Sequence, residues 1–150
     1  MRIMEERDLQ VFIDVTTHYF AKATQQPAVI GEPFIQMEQP VLLDYSGFVR
    51  ISGRSEGYIY LTTPKDMLAA LLRAEGEREF TREDLADLVG EMANTIISNV
   101  RRVYGNQFRV SVPVVVPGRD LNGIRLPFLT FVVPIEWKEY ESYLVLGLEK

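Results

Sequence analysis

The chain has 150 residues, 47% hydrophobic and 25% charged, with no cysteine and a single histidine, His18. Such a length and composition describe one ordinary globular domain with its own core, and they exclude disulfides, thiol nucleophiles, zinc–thiolate sites and, within one chain, multi-histidine metal centres. With 16 basic against 21 acidic residues the net charge is −5; the chain is poorly suited to nucleic acid, and with no apolar run near ~18 residues no membrane span is expected.

Residues 1–6 are too acidic and too poor in apolar side chains for a signal peptide, so a cytoplasmic location is expected. A first helix is predicted over residues 8–26, where Leu9, Phe12, Ile13, Thr16, Tyr19, Phe20 and Ala23 recur at helical spacing and Pro27 ends the run. His18 points away from that stripe. Residues 32–37 suggest a short edge strand. Residues 41–52 suggest a longer one, with Gly47 as a bulge and with Val49 and Ile51 alternating with Arg50 and Ser52. Residues 53–57 read as a hairpin loop and 58–61 as the return strand. A short helix follows, with Thr63 as N-cap, Pro64 at the first helical position, Asp66 bonding back and Gly76 as terminator. Thr81-Arg82-Glu83-Asp84 opens a long helix of about 23 residues, roughly 35 Å, that ends at Gly105. After it Phe108, Val110, Val112, Val114 and Val116 alternate with other residues as one strand. Pro117-Gly118-Arg119-Asp120 forms a turn, and residues 128–135 and 143–148 supply two closing strands.

This order predicts an α+β fold, an antiparallel or mixed sheet of about six strands with three helices, in a single domain over residues 1–150. No internal repeat is visible. The closing strands are apolar on both faces over several positions and would aggregate at an open edge. A homodimer, or a covering helix, would bury them.

On the long helix Leu85, Val89, Met92, Ile96, Val100 and Val103 fall on one side, and Asp87, Glu91, Asn94, Ser98 and Arg101 on the other. Glu91 and Asn94, three residues apart, stand side by side, roughly 5–6 Å apart at Cβ. A carboxylate and a carboxamide held on a rigid exposed surface can grip a partner and place a water. Asparagine within a helix and Gly90 beside it are both locally unfavourable, the glycine by ~1 kcal/mol. Such rule-breaking concentrates at functional sites, and the close approach of another backbone would explain the glycine.

These residues resemble the CheX/CheC/FliY family of chemotaxis phosphatases, most closely its single-site CheX type. The family's Glu-x-x-Asn pair, commonly preceded by glycine, corresponds to Gly90-Glu91-Met92-Ala93-Asn94. Its Pro/Val-rich strand ending in a Gly-Arg-Asp turn corresponds to Val112-Pro113-Val114-Val115-Val116-Pro117-Gly118-Arg119-Asp120-Leu121, followed by two closing strands, one with Pro134 inside it. The likeness covers the whole layout and is sharpest over residues 81–136. Ala93 stands where the family often has glycine, Thr95, Ile96 and Ile97 stand where it has small residues, and the first helix carries no second Glu-x-x-Asn.

The resemblance implies a phosphatase acting on the aspartyl phosphate of a CheY-like response regulator. Asn94 would position the attacking water and Glu91 would dock a regulator cation, with Asp87, Gly90, Ser98 and Arg101 as partner-binding surface. The chain itself would bind no metal or other cofactor, because Mg²⁺ is expected on the regulator. A catalytically silent binding module and a structural homodimer are the competing readings. A nucleic-acid function is the weakest, since only Arg101, Arg102 and Arg109 form a basic group.

Overall fold

Runs of residues buried on both faces build two central hairpins. The computed structural model describes residues 6–37, 40–53, 56–119 and 130–149. Within them β3 (Tyr45–Gly53) pairs with β4 (Glu56–Thr63), β7 (Thr130–Trp137) pairs with β8 (Tyr140–Glu149), and β4 lies beside β8. Two short segments, β1 (Val29–Ile30) and β2 (Phe34–Gln36), both pair with β7. Two more, β5 (Phe108–Val110) and β6 (Val114–Pro117), both pair with β3. The sheet thus has eight antiparallel segments in six positions, β1/β2–β7–β8–β4–β3–β5/β6. The expected six strands are present as positions, with each outer strand broken in two.

Both breaks share one cause. Ile30 faces Ile135 and Phe34 faces Val132, so residues 31–33 oppose only 133 and 134. Val110 faces Ile51 and Val114 faces Phe48, so residues 111–113 oppose only 49 and 50. One extra residue is a β-bulge, and a one-residue slip turns every later side chain to the other face. The single apolar face expected from Phe108 to Val116 therefore does not exist. Val112 is 82% and Val114 55% exposed, while Val115 turns toward the helices. Gly47, expected as a bulge, pairs without interruption with Leu61 and Val115.

The palindromic strand order exposes a repeat that the sequence does not show. A helix, a broken strand and a hairpin occur twice, and each half's broken strand pairs with the other half's hairpin. Pro33 precedes β2 as Pro113 precedes β6. The long helices α1 (Glu6–Thr24) and α3 (Arg82–Tyr104) are followed by Gln25 and Gly105, both with positive φ, 58° and 67°.

These helices and α2 (Lys65–Ala74) cover one face of the sheet. Phe12 and Phe20 of α1, Leu68 and Leu71 of α2, and Val89, Met92, Ile96 and Val100 of α3 join Val49, Leu61, Val133 and Leu146 in the main core. The opposite face carries a smaller cluster, Phe48, Tyr60, Val116, Val132 and Val145, with Val41 and Leu42 packed on it. There Phe48 and Tyr60 stack with centroids 4.4 Å apart, and the Tyr60 hydroxyl donates to the Val41 carbonyl at 2.8 Å. His18 is exposed, as expected. Ala23 and Val103, assigned to buried stripes, are exposed too, because each sits at a helix end beyond the sheet's cover. The start of α2 also differs from expectation. Pro64 occupies the N-cap position and the Asp44 carboxylate accepts the Lys65 N–H at 2.9 Å, while the Thr63 hydroxyl is buried without a partner. Gly76, with φ 95°, follows the end of α2 as expected. The apolar strands β7 and β8 lie inside the sheet, so the exposed edges are β1/β2 and β5/β6.

Helix α3 sits low on the sheet because two glycines permit it. A Cβ at Gly47 would stand 2.9 Å from the Val89 carbonyl oxygen, and one at Gly90 would stand 3.0 Å from Val115 Cγ2. Gly90 is buried, so the close approach that offsets its helix cost comes from its own chain.

Two predictions follow from this packing. Gly90→Ala gains helix propensity of ~1 kcal/mol but crowds Val115. Combining it with Val115→Ala, which removes the offending methyl, should show favourable coupling of about 1 kcal/mol in urea denaturation. Additivity within about 0.3 kcal/mol would show no crowding. The second prediction concerns alkali. Tyr19 is pushed up to about 12, first by burial and then by the nearby Glu75 and Glu91 carboxylates; burial raises Tyr60 further. In the unfolded chain both ionise near ~10, so their contribution is complete below that pH and is lost as pH climbs from about 10 through about 12 for Tyr19 and higher still for Tyr60. The urea midpoint should fall between pH 9 and 11, and fall less in Tyr60→Phe. An unchanged wild-type midpoint refutes this account.

Candidate functional site

Helix α3 is fastened at both ends. The Thr81 hydroxyl accepts the Asp84 N–H at 3.2 Å while the Asp84 carboxylate accepts the Thr81 N–H at 2.8 Å, a reciprocal cap worth about 1 kcal/mol. At the other end Arg101 Nε donates to the Phe108 carbonyl at 3.0 Å. Between these points the buried side comprises Leu85, Leu88, Val89, Gly90, Met92, Ala93, Ile96, Ile97 and Val100.

Glu91 and Asn94 are both exposed, on the opposite side of the helix from Val89 and Ala93. The expected pair therefore faces outward on a rigid support. Asp87 is exposed on the same side. Ser98 is half-buried. Arg101 is exposed but partly committed to its own chain through Phe108. Gly90 lies beneath the surface against Val115 and supports the pair from below. The residues that depart from the family's pattern are mostly turned away from the pair: Ala93, Ile96 and Ile97 are buried, and only Thr95 is exposed. The turn after β6 is held by Asp44. Its carbonyl accepts the Gly118 N–H at 2.7 Å and its carboxylate lies 3.7 Å from the Arg119 guanidinium. Asp120 and Leu121, which complete that motif, lie outside the described residues.

The structure adds a cleft that sequence reasoning missed. It holds about 260 Å³ between the end of α2 and the start of α3, with Leu72, Phe80 and Leu88 among carboxylates of Glu75, Glu77, Asp84, Asp87 and Glu91. The Arg73 guanidinium lies 5.5 Å from the Phe80 ring centroid beside it. The run Glu75-Gly76-Glu77-Arg78-Glu79 was the available signal, but only the folded turn brings it beside Glu91. The Glu91 end of the site is thus electronegative, and Asn94 places a neutral amide next to it. Among the described residues no group of three or more His, Asp or Glu side chains is arranged to hold a metal ion. No helix among them is long and apolar enough to cross a membrane.

Comparison with known proteins agrees with this fold. The chain superposes on a chemotaxis protein CheX from Desulfovibrio desulfuricans with a TM-score of 0.83 and 21% identity, covering 95% of this chain and 99% of that one. It is also similar to the structure of a CheX–CheY–BeF3–Mg²⁺ complex from Borrelia burgdorferi, with a TM-score of 0.78 and 15% identity over 99% of this chain and 100% of that one. FliY from Thermotoga maritima matches with a TM-score of 0.62 and 14% identity, over 97% and 92% of the two chains. No curated protein sequence matches the chain significantly. Residues 45–127, more than half of the chain and including the whole of α3, match the family described as chemotaxis phosphatase CheX. A chain with this fold, this outward-facing pair on α3 and this match belongs to the CheX family.

Proposed function

We propose that the chain hydrolyses the aspartyl phosphate of a CheY-like response regulator, in the chemotaxis pathway or another two-component circuit of the cytoplasm. The observation that carries this reading is the exposure of Glu91 and Asn94 together on α3 of a CheX-family fold. Support for the partner comes from the similar Borrelia protein, whose structure contains CheY, BeF3 and Mg²⁺.

The reaction needs a water in line with the leaving carboxylate and charge stabilisation on the phosphoryl oxygens. Water attack forms a new P–O bond, the bond to the aspartate breaks, and inorganic phosphate leaves. Mg²⁺ held by the regulator neutralises charge, and this chain supplies positioning. Asn94 suits that task because its carboxamide both accepts and donates. Its oxygen takes a hydrogen bond from the water, and its NH₂ avoids the repulsion that a second carboxylate would exert on the phosphoryl anion. Glu91, at the edge of the acidic cleft, fixes the docking register by pairing with a regulator cation, most naturally a lysine.

Mutation separates the two roles. With a phosphorylated receiver domain, Asn94→Ala should lose at least about 100-fold in dephosphorylation rate, consistent with the loss of one positioning group, while keeping its affinity for a beryllofluoride-loaded receiver. Glu91→Lys should weaken that binding itself. If Asn94→Ala dephosphorylates as fast as wild type, the water-positioning role is wrong. Binding without acceleration by the wild type would instead identify a docking module.

The chain is further proposed to form a homodimer through the β1/β2 edge, where Val29, Phe34, Ile35 and Met37 are exposed. Edge strands with unpaired backbone groups and apolar side chains invite pairing, and pairing one edge with itself closes the assembly at two copies. Light scattering should show a dimer for the wild type and a monomer for Ile35→Lys. A wild-type monomer at tens of micromolar overturns the assignment.

A further inference from the structure

We propose that Gly47, remote in sequence from the site, is a positioning residue for the Glu91–Asn94 pair. This rests on the phosphatase reading above and identifies what holds the pair at its working height.

The geometry is direct. Val89 and Ala93 face the sheet, and Glu91 and Asn94 lie on the far side of the same helix. A Cβ at position 47 would stand 2.9 Å from the Val89 carbonyl oxygen, 3.3 Å from its carbonyl carbon and 3.1 Å from Ala93 Cβ. The nearest of these is a backbone atom that no rotamer change can move. Any side chain at position 47 therefore lifts α3 by a few tenths of an ångström, and the lift emerges on the other side as a displacement of the pair.

The equivalent position in the other half of the sheet is not glycine. The repeat supplies the comparison, because Phe131 of β7 occupies the equivalent position. Phe131 pairs with Ile35 of β2 and Leu146 of β8, as Gly47 pairs with Val115 of β6 and Leu61 of β4. Phe131 also faces the helix-covered side, packed against the main core. One half of the sheet thus accepts a phenylalanine where the other half, under the helix that bears Glu91 and Asn94, has no side chain. The difference follows the site.

Water placement is sensitive to displacements of this size, whereas a long glutamate side chain can follow a docked lysine. Turnover and affinity should separate accordingly. In single-turnover dephosphorylation of a phosphorylated receiver domain at saturating protein, Gly47→Ala should be slower by about tenfold. Its affinity for the beryllofluoride-loaded receiver should change by less than about threefold. Val132→Ala, in the small cluster on the opposite face, serves as a control for lost stability and should keep the wild-type rate. If Gly47→Ala does not fold, Ala93→Ser introduces one atom into the same gap from the helix side, and the same split is expected. An unchanged rate in Gly47→Ala, or equal losses of rate and affinity that Val132→Ala reproduces, overturns the positioning role while leaving the phosphatase reading intact. A wild-type protein that accelerates nothing removes both.

Discussion

Backbone meets backbone where α3 crosses β3, and the placement of the exposed pair depends on that contact. A helix normally stands off a sheet by the length of its side chains. Here Gly47 removes one layer under Val89 and Ala93, and Gly90 removes another above Val115. The low seat buries an entire side of the helix, from Leu85 to Val100. The reciprocal cap at Thr81 and the Arg101 hydrogen bond to Phe108 hold its two ends. Groups projecting from the other side inherit that stiffness, which is what positioning chemistry asks of a scaffold.

Much of this was legible in the sequence because its signals are local. The capping residues of α3, its length and its division into wet and dry sides come from spacing alone, and the exposure of Glu91 and Asn94 follows from them. The register slips were harder. Five apolar residues at alternate positions from Phe108 to Val116 look like one strand, and only pairing with β3 shows that the alternation changes phase after Val110. Pro113 was the available clue, since a proline inside a strand marks an edge or a bulge. Gly47 shows the same ambiguity in another form. A glycine within a strand signals either a bulge or a close approach, and the helix that approaches lies some forty residues away in the chain. The repeat was invisible because its two halves share strand order and register while their side chains have diverged, down to glycine in one half and phenylalanine in the other.

The slip after Val110 connects fold and site. Without it, Val114 rather than Val115 would stand opposite Gly47 and face the helices. With it, β6 presents Val115 directly beneath the residue that precedes Glu91. An edge strand has freedom to carry such a bulge because only one of its sides is paired. That same freedom leaves Val112 and Val114 facing solvent. The irregularity in the sheet thus decides which valine of β6 lies beneath the helix.

The repeat also bears on why one helix rather than two carries the pair. Aligning the ends of α1 and α3 at Gln25 and Gly105 sets Val11 and Asp14 of α1 opposite Glu91 and Asn94. Val11 is half-buried, and Asp14 accepts a hydrogen bond from Gln10 at 2.8 Å. A valine cannot grip a cation. An aspartate presents only acceptors and negative charge, so near a phosphoryl group it would repel the anion that an amide tolerates. The two helices share a position in the fold but not the chemistry. Helix α1 packs against α3 and β1, and the strand beside β1 carries Phe131, so α1 also lacks the bare strand on which α3 rests. Chemistry and support are absent together from one half and present together in the other, as expected if the glycine in β3 belongs with the pair on α3.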